Sequence, residues 1–142
     1  MVFRACVCTG IAAAAFSLWP GTGLDAADRA RRGLDLRASP QVSFSPSRVV
    51  LTGELRNVTA QDEEMYCPEV EWEWGDGTRS SASADCGPFE AGASTTKLRY
   101  VQQHTFQYPG YFKVVLRLKR GPQVLVSGTT TLTVRAGGNV MY

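Results

Sequence analysis

The chain has 142 residues, of which 44% are hydrophobic, 20% charged and 10% aromatic, and its formal net charge is +2. This length allows one domain of ordinary size, and the composition excludes a wholly disordered or collagen-like chain. The small net charge argues against nucleic acid as a partner. A single histidine excludes a multi-histidine metal site within the chain and leaves one candidate for a histidine general base. These counts favour a binding or structural module over an enzyme.

The N-terminal segment has the pattern of a secretory signal peptide. After Arg4, residues 5–24 carry no charged side chain, and the apolar run ends in small residues and turn formers. We expect cleavage near Ala26, so that residues 1–26 are removed. An uncleaved membrane anchor is the alternative, because about twenty uncharged residues can just span a bilayer. Pro20 interrupts the far end of the run. This favours a signal peptide and a mature form without a membrane span that is secreted, periplasmic or on the cell surface.

Export would leave two of the four cysteines in the mature chain. Cys67 and Cys86 are an even number in an oxidising compartment, and we expect them to form one disulfide. The alternative is a metal-binding pair, but two thiolates with one distant histidine make a poor tetrahedral set. The sequence therefore predicts a disulfide-stapled loop, no metal and no cofactor.

The remaining chain divides into a lead-in, a strand-rich domain and a short tail. Residues 27–40 are charged and mixed in sign, so we expect a flexible lead-in there. Residues 41–136 show short strands separated by turn residues, which predicts an all-β antiparallel β-sandwich. Residues 42–45 alternate and are followed by Pro46, which predicts that the first strand either lies at a sheet edge or is broken there. Residues 137–142 are predicted to be a C-terminal tail.

Three later segments define the predicted strands and their faces. In residues 70–74 the valine and the tryptophans share one face, and the glutamates share the other. In residues 112–119 apolar side chains again alternate with polar ones, and the apolar set is predicted to face the core. Residues 124–134 are predicted to form one long final strand with a kink at Gly128.

Two motifs make the sandwich prediction specific. Residues 72–78 are WEWGDGT, and residues 104–116 are HTFQYPGYFKVVL. Together they resemble the PKD domain (polycystic kidney disease repeat), an immunoglobulin-like antiparallel β-sandwich, which typically shows WDFGDGT, then HTY, then PGxY and an alternating strand. In this chain Trp74, Phe106 and Phe112 stand at aromatic positions of that pattern and keep the aromatic bulk. The resemblance covers most of the predicted mature chain.

The residue types imply structural roles for these motifs. Trp72 is expected to fill the space between the two sheets, and Gly75 and Gly77 permit the positive φ values of a turn. Asp76 can hydrogen-bond its own turn backbone, and cation binding is its less favoured second role. The motif residues assigned to structural rather than catalytic roles are Trp72, Trp74, Gly75, Asp76, Gly77, His104, Phe106, Pro109, Gly110 and Phe112.

Residues 79–103 are a longer segment than a simple PKD repeat contains. We expect a small, polar, glycine-rich loop in its first part and a strand from Thr95 to Tyr100. Cys86 would staple the loop to the start of the tryptophan-bearing strand, and Phe89 would plug into the body of the domain. Long loops inside compact domains are uncommon and often bind ligands. A recognition loop and a purely structural excursion both stay open.

Charges segregate along the chain. Ten acidic and two basic residues lie between positions 54 and 90, whereas seven basic and no acidic residues follow. A bipolar molecule that binds charged partners is one interpretation. We favour a ladder in which Glu71 and Glu73 face Lys113 and Arg117 on a neighbouring strand, with each pair contributing about 0.2 to 1 kcal/mol.

Acidic residues also raise the question of metal binding and catalysis. Residues 62–64 (DEE) are predicted to be a solvated acidic turn without a partner. Calcium is the alternative, but the alternating oxygen pattern of an EF-hand loop is missing. The sequence contains no Gly-x-Ser-x-Gly elbow, no His-Glu-x-x-His motif and no phosphate loop. We therefore expect a protein that is not an enzyme.

The resemblance implies an extracellular or periplasmic non-catalytic module that contacts an unidentified protein or glycan. Protein–protein interaction is the first hypothesis. A carbohydrate-binding module is the alternative, and it requires an exposed row of aromatic rings built from Tyr100, Tyr108 and Tyr111. Phe89 in the insertion is a further candidate ligand contact.

Overall fold

The structure is a computed structural model that describes residues 31–138. The predicted signal peptide and most of the C-terminal tail lie outside the described residues. Eight strands form within residues 31–138: β1 (Gly33–Ser39), β2 (Val42–Phe44), β3 (Ser47–Arg56), β4 (Glu69–Glu73), β5 (Arg79–Ala82), β6 (Arg99–Phe106), β7 (Gly110–Arg120) and β8 (Gln123–Arg135). The described part of the chain holds no helix with the length and apolar character needed to cross a bilayer.

The strands form two sheets that pack as a sandwich. One sheet has the order β1-β3-β6, and the other has the order β2-β8-β7-β4-β5. All neighbours are antiparallel except β2, which runs parallel to β8. The predicted all-β sandwich is confirmed. Most core side chains come from the inward faces of both sheets, and Met65 comes from the segment between β3 and β4. The largest fully buried side chains are Phe106, Leu51, Met65, Leu116, Leu118 and Leu132.

Part of the predicted flexible lead-in is a strand, so that prediction is wrong from Gly33 onward. Leu34 and Leu36 are buried in the core, and Asp35 on the opposite face forms an ion pair with Arg56 of β3. The segment alternates leucine with polar residues, and this period of two decides its structure. Its high charge reflects one solvent-facing side of a paired strand.

The alternation in β7 has the predicted phase, and β8 is the predicted long final strand. Val114, Leu116 and Leu118 are buried, and β8 runs unbroken through Gly128. The predicted kink at this glycine is therefore wrong. The irregularity of β8 lies before this glycine, at Leu125, because Leu118 pairs with Val126 and Lys119 pairs with Val124. A Cβ on Gly128 would overlap the carbonyl oxygen of Leu34, so the glycine permits β1 to approach β8 closely.

Residues 79–103, predicted to be a loop followed by a strand, contain two strand segments. The first of them form β5, which pairs with β4, and β6 begins at Arg99 rather than at Thr95. All four side chains of β5 are exposed. Serine and alanine give no hydrophobic alternation, so this edge strand is held in place by its backbone pairing with β4. An irregular segment, residues 83–98, connects the two sheets.

Candidate functional site

The two sequence motifs meet in a stack of rings between the sheets. The indoles of Trp72 and Trp74 are parallel, with centroids 5.2 Å apart, and the His104 ring lies parallel to Trp74 at 4.2 Å. Phe106 meets His104 edge-on at 4.8 Å. Both tryptophans and Phe106 are buried. The stack joins β4 of one sheet to β6 of the other, which gives these residues a role in holding the sheets together.

Asp76 lies in the turn between β4 and β5, and both of its carboxylate oxygens accept hydrogen bonds. Oδ1 accepts bonds from the backbone nitrogen and the hydroxyl of Thr78 at 2.9 and 2.5 Å, and Oδ2 lies 2.7 Å from His104 Nε2. Burial raises the pKa of Asp76, but the hydrogen bonds from Thr78 and His104 outweigh it and hold the pKa below its ordinary value. Within residues 31–138 no three His, Cys, Asp or Glu side chains are grouped closely enough to hold a metal ion.

Gly75 allows the motif turn to lie against β7. Its φ is +80°, and a Cβ there would fall 2.5 Å from the backbone oxygen of Lys113. Gly77 also has a positive φ, +88°. Gly110 opens β7 beneath the Phe112 ring, where a Cβ would lie 2.9 Å from that ring. These glycines stand where side chains would strain the backbone or separate packed elements.

A charge ladder crosses the outer face of the five-stranded sheet. Arg117 of β7 donates hydrogen bonds to Glu71 at 3.2 Å and to Glu73 at 2.8 Å, and Lys119 lies 3.2 Å from Glu71. The hydrogen bond from Lys119 lowers the pKa of Glu71, and that from Arg117 lowers the pKa of Glu73. The predicted pairing of these glutamates with Lys113 is wrong, because β4 ends before it reaches that position.

The acidic turn at residues 62–64 has a partner, so the prediction of a purely solvated turn is wrong. Arg32, just before β1, lies 3.0 Å from Asp62 and 2.7 Å from Glu64. The side chains of Arg32 and Asp62 are largely buried, at 10% and 14% exposure. Arg32, from the segment predicted to be a flexible lead-in, therefore holds this turn through long-range ion pairs. The local sequence around Arg32 or around residues 62–64 could not predict this contact.

The predicted disulfide between Cys67 and Cys86 is present, with the two Cα atoms 6.3 Å apart. It ties the irregular segment 83–98 to the residues just before β4. Phe89 of this segment is half-buried and meets Tyr66 edge-on, with ring centroids 5.4 Å apart. The predicted plug therefore packs on a surface ring beside the disulfide and does not belong to the buried core.

A cavity of about 340 Å³ lies beside the disulfide, and we call it the disulfide cavity. It opens where the two sheets part, between β4 and β5 on one side and β6 on the other. Its lining is mainly apolar and includes Tyr66, Pro68, Val70, Ala84 and Tyr100, with Lys97 as its charged member. Sequence reasoning did not find this cavity, because its walls come from segments that meet only in the folded chain.

Tyr100 belongs to the cavity wall and not to an exposed row of rings. It is only 4% exposed, and its hydroxyl is buried without a hydrogen-bond partner among the described residues. Burial raises the pKa of Tyr100 to about 12. The Lys97 ammonium lies 5.1 Å from the ring centroid, a cation–π distance. The prediction that Tyr100 is exposed with Tyr108 and Tyr111 in one row of rings is therefore wrong.

Four large side chains are exposed at the opposite end of the five-stranded sheet, and we call them the outer aromatic patch: Val42, Phe44, Tyr108 and Tyr111. Val42 of β2 and Tyr111 of β7 both pair with Thr133 of β8, so they share one face about 10 Å apart. Phe44 is 60% exposed and Tyr108 is 78% exposed. The predicted edge strand at β2 is confirmed.

The apolar residues of β2 face solvent because Ser43 takes the inward position. The hydroxyls of Ser43 and Ser47 lie 2.6 Å apart beneath β2, and Ser47 is buried. The alternation of β2 therefore predicts a strand correctly but does not reveal that its apolar side faces outward.

Comparisons with known proteins show which known fold this structure resembles. No family model and no curated protein matches the sequence. The PKD domain of an M14-like peptidase from a Thermoplasmatales archaeon is similar in structure, with a TM-score of 0.50 and 16% identity over 72% of this chain and 93% of that domain. The chain has a PKD-like immunoglobulin fold. The predicted PKD resemblance is thus confirmed in the architecture.

Two further structures resemble this PKD-like chain less closely. The CARDB domain of a Pyrococcus furiosus protein, solved with di-metal ions, has a TM-score of 0.47 and 9% identity over 75% of this chain and 94% of that one. A superoxide reductase (neelaredoxin) from Ignicoccus hospitalis has the same TM-score and identity over 82% of this chain and 90% of that one. At these identities the likeness concerns the fold, and no activity transfers with it.

Proposed function

We propose that this PKD-like domain is a non-catalytic module that binds another protein at or outside the cell envelope. The observation that carries the proposal is the outer aromatic patch, in which Val42, Phe44 and Tyr111 are exposed on one face of the sheet and Tyr108 is exposed in the turn before β7. Exposed apolar clusters of this kind mark interaction sites. Tyrosine and phenylalanine are enriched in protein interfaces, where they contribute much of the binding energy.

The charges around the patch indicate the kind of partner. Lys113 lies two residues beyond Tyr111 on the same face of β7, and Arg135 pairs with Phe44 across β8 and β2. Both basic side chains are exposed. A protein surface with an apolar centre and an acidic rim would be complementary to this arrangement.

The proposed location outside the cytoplasm is supported by the disulfide and by the predicted signal peptide, since disulfides persist mainly in oxidising compartments.

The proposed non-catalytic role is supported by the contacts of the ionisable side chains. The carboxylates with lowered pKa values, Glu71, Glu73 and Asp76, are held in ion pairs or turn hydrogen bonds. Structural ion-pair networks lower carboxylate pKa values as catalytic sites do, so these lowered pKa values do not require a catalytic role.

Carbohydrate binding is the second candidate, because Tyr108 and Tyr111 are both exposed and could stack on sugar rings. It ranks lower than protein binding because Tyr100 is buried, so the expected row of three rings does not form. The apolar Val42 and Phe44 also suit a protein surface better than a glycan.

The test compares the purified wild-type protein with a patch variant, Phe44→Ser/Tyr111→Ser, as bait for envelope and medium proteins of the native host. The control is Val101→Ser/Val124→Ser, which removes two other exposed apolar side chains from different places. A specific partner should be captured by the wild type and the control and lost by the patch variant.

Equal capture by all three proteins would place the interface elsewhere and contradict the proposal. Gel retardation in soluble polysaccharides tests the second candidate with the same three proteins. Retardation that the patch variant abolishes, without a captured protein, would favour carbohydrate binding over protein binding.

A further inference from the structure

We propose that the disulfide cavity binds a small amphipathic carboxylate, with the apolar part inside the cavity and the carboxylate at Lys97. This site is separate from the outer aromatic patch. The cavity lies at the β5 edge of the five-stranded sheet, whereas the patch begins at the β2 edge.

The size and walls of the cavity suit a small organic molecule. Its volume of about 340 Å³ lies at the lower end of the range of about 300 to 1,000 Å³ found for small-molecule sites. Val70 of β4 and Tyr100 of β6 supply walls from the two different sheets. Cys67 and Cys86 also line the cavity, so the disulfide fixes the wall formed by segment 83–98. A wall held in place lowers the entropy cost of binding.

The lining chemistry favours an apolar ligand body. Tyr66, Pro68, Val70 and Ala84 present mainly carbon to the cavity. Tyr100 contributes ring atoms, because its hydroxyl is closed off from solvent. Sites for small molecules combine such apolar walls with a few polar groups that fix the orientation of the ligand.

Lys97 supplies the polar group and determines the sign of the ligand charge. It is the one charged side chain among the described residues that line the cavity, and no described carboxylate forms an ion pair with it. Its ammonium lies over the Tyr100 ring at the cavity wall, 5.1 Å from the centroid. A single ammonium suits one carboxylate. Phosphate groups are typically held by several donors, often from arginine, and the described residues of the lining include no arginine.

The experiment uses the purified, disulfide-intact protein and two probes of nearly equal shape. One is 3-phenylpropanoate, and the other is its neutral analogue 3-phenylpropanamide. Two-dimensional amide NMR spectra recorded during titration should show shifts confined to residues around the cavity, such as Val70, Ala84 and Tyr100. We expect the carboxylate to bind about tenfold more tightly than the amide, which corresponds to one ion pair or charged hydrogen bond.

Variants separate the charge from the cavity. Lys97→Gln should weaken carboxylate binding about tenfold and leave amide binding unchanged, since it removes only the charge. Lys113→Gln is the matched control, because this exposed lysine on β7 lies outside the cavity lining. It should change neither affinity. Ala84→Trp places an indole in the cavity wall and should weaken both probes.

Several results would overturn the proposal. These are equal affinity of the carboxylate and the amide, unchanged carboxylate binding by Lys97→Gln, shifts that map to the outer aromatic patch, or no shifts at millimolar probe. Lys97 is exposed, so its substitution should leave the fold intact, and the spectrum of the free variant checks this. The capture experiment at the patch is a separate test, because its variants change no residue of the cavity lining.

Discussion

Asp76 and His104 are 28 residues apart in the chain, yet Oδ2 of Asp76 lies 2.7 Å from Nε2 of His104. Asp76 belongs to the turn after β4 in the five-stranded sheet, and His104 belongs to β6 in the three-stranded sheet. The contact therefore crosses the sandwich. It links the two PKD-like motifs directly, beside the stack that His104 forms on Trp74.

Replacing Asp76 with asparagine should lower the free energy of unfolding by about 1 kcal/mol at neutral pH, because the charged hydrogen bonds to Thr78 and His104 become weaker. Chemical denaturation measures the change. Asp85→Asn, on an exposed loop position, is the control and should be neutral. A stability for Asp76→Asn equal to that of the control would show that the cross-sheet contact contributes nothing.

The same pair of proteins gives a pH dependence. The pKa of Asp76 is lower in the folded state than its ordinary value of 3.8. The contribution of the carboxylate is therefore fully present above that value and is lost as the pH falls through the lower folded pKa. The stability difference between wild type and Asp76→Asn should shrink in strong acid, as the pH falls below 3.8. A difference that grew over that range would contradict the assigned direction.

Trp72→Ala should destabilise the domain by about 3 to 5 kcal/mol, because a buried indole in the ring stack is replaced by a cavity. Thermal unfolding followed by circular dichroism provides the measurement. Tyr111→Ala is the comparison, since this ring is 70% exposed and its loss should leave the melting temperature nearly unchanged. Similar melting curves for both variants would show that Trp72 is not a core residue.

Gly128→Ala should also destabilise the domain, by about 1 to 3 kcal/mol. The new methyl group would overlap the backbone oxygen of Leu34 and push β1 away from β8. Gly87→Ala is the matched control, because a Cβ at Gly87 meets no atom of the described residues within 4 Å. Urea unfolding of the two variants should separate them clearly. Equal stabilities would mean that β1 does not lie over Gly128.

Tyr100→Phe should stabilise the folded protein by about 1 kcal/mol, because it removes a buried hydroxyl that has no partner among the described residues. Tyr108→Phe removes a hydroxyl from a ring that is 78% exposed and should be neutral. Differential scanning calorimetry distinguishes the two outcomes. Destabilisation by Tyr100→Phe would indicate that this hydroxyl does have a hydrogen-bond partner in the protein.

The sequence predicts well wherever local alternation carries the information. The strands around Trp72 and Val114 have the predicted inward faces, because a period of two on a half-buried strand appears directly in the chain. It predicts less where charge conceals the alternation, as at Leu34 and Leu36. It also fails at β5, where serine and alanine carry no hydrophobic pattern and the partner strand alone holds the segment in place.

Some features of the candidate sites could be predicted from the sequence, and others could not. The disulfide follows from counting cysteines in a predicted secreted chain, and the motif residues follow from their resemblance to PKD domains. The burial of Tyr100, the outward turn of Phe44 and the cavity at Lys97 could not be predicted, because each depends on which distant segments pack together.

By itself, the sequence of this nearly neutral, 142-residue chain determined a β-sandwich with a disulfide and a tryptophan motif. These features depend on residue type, spacing and period, which are local properties of the chain. Only the tertiary structure decided which aromatic rings are exposed and where a cavity opens. Exposure and cavities are set by what the neighbouring sheet covers, and that depends on contacts between residues far apart in the sequence.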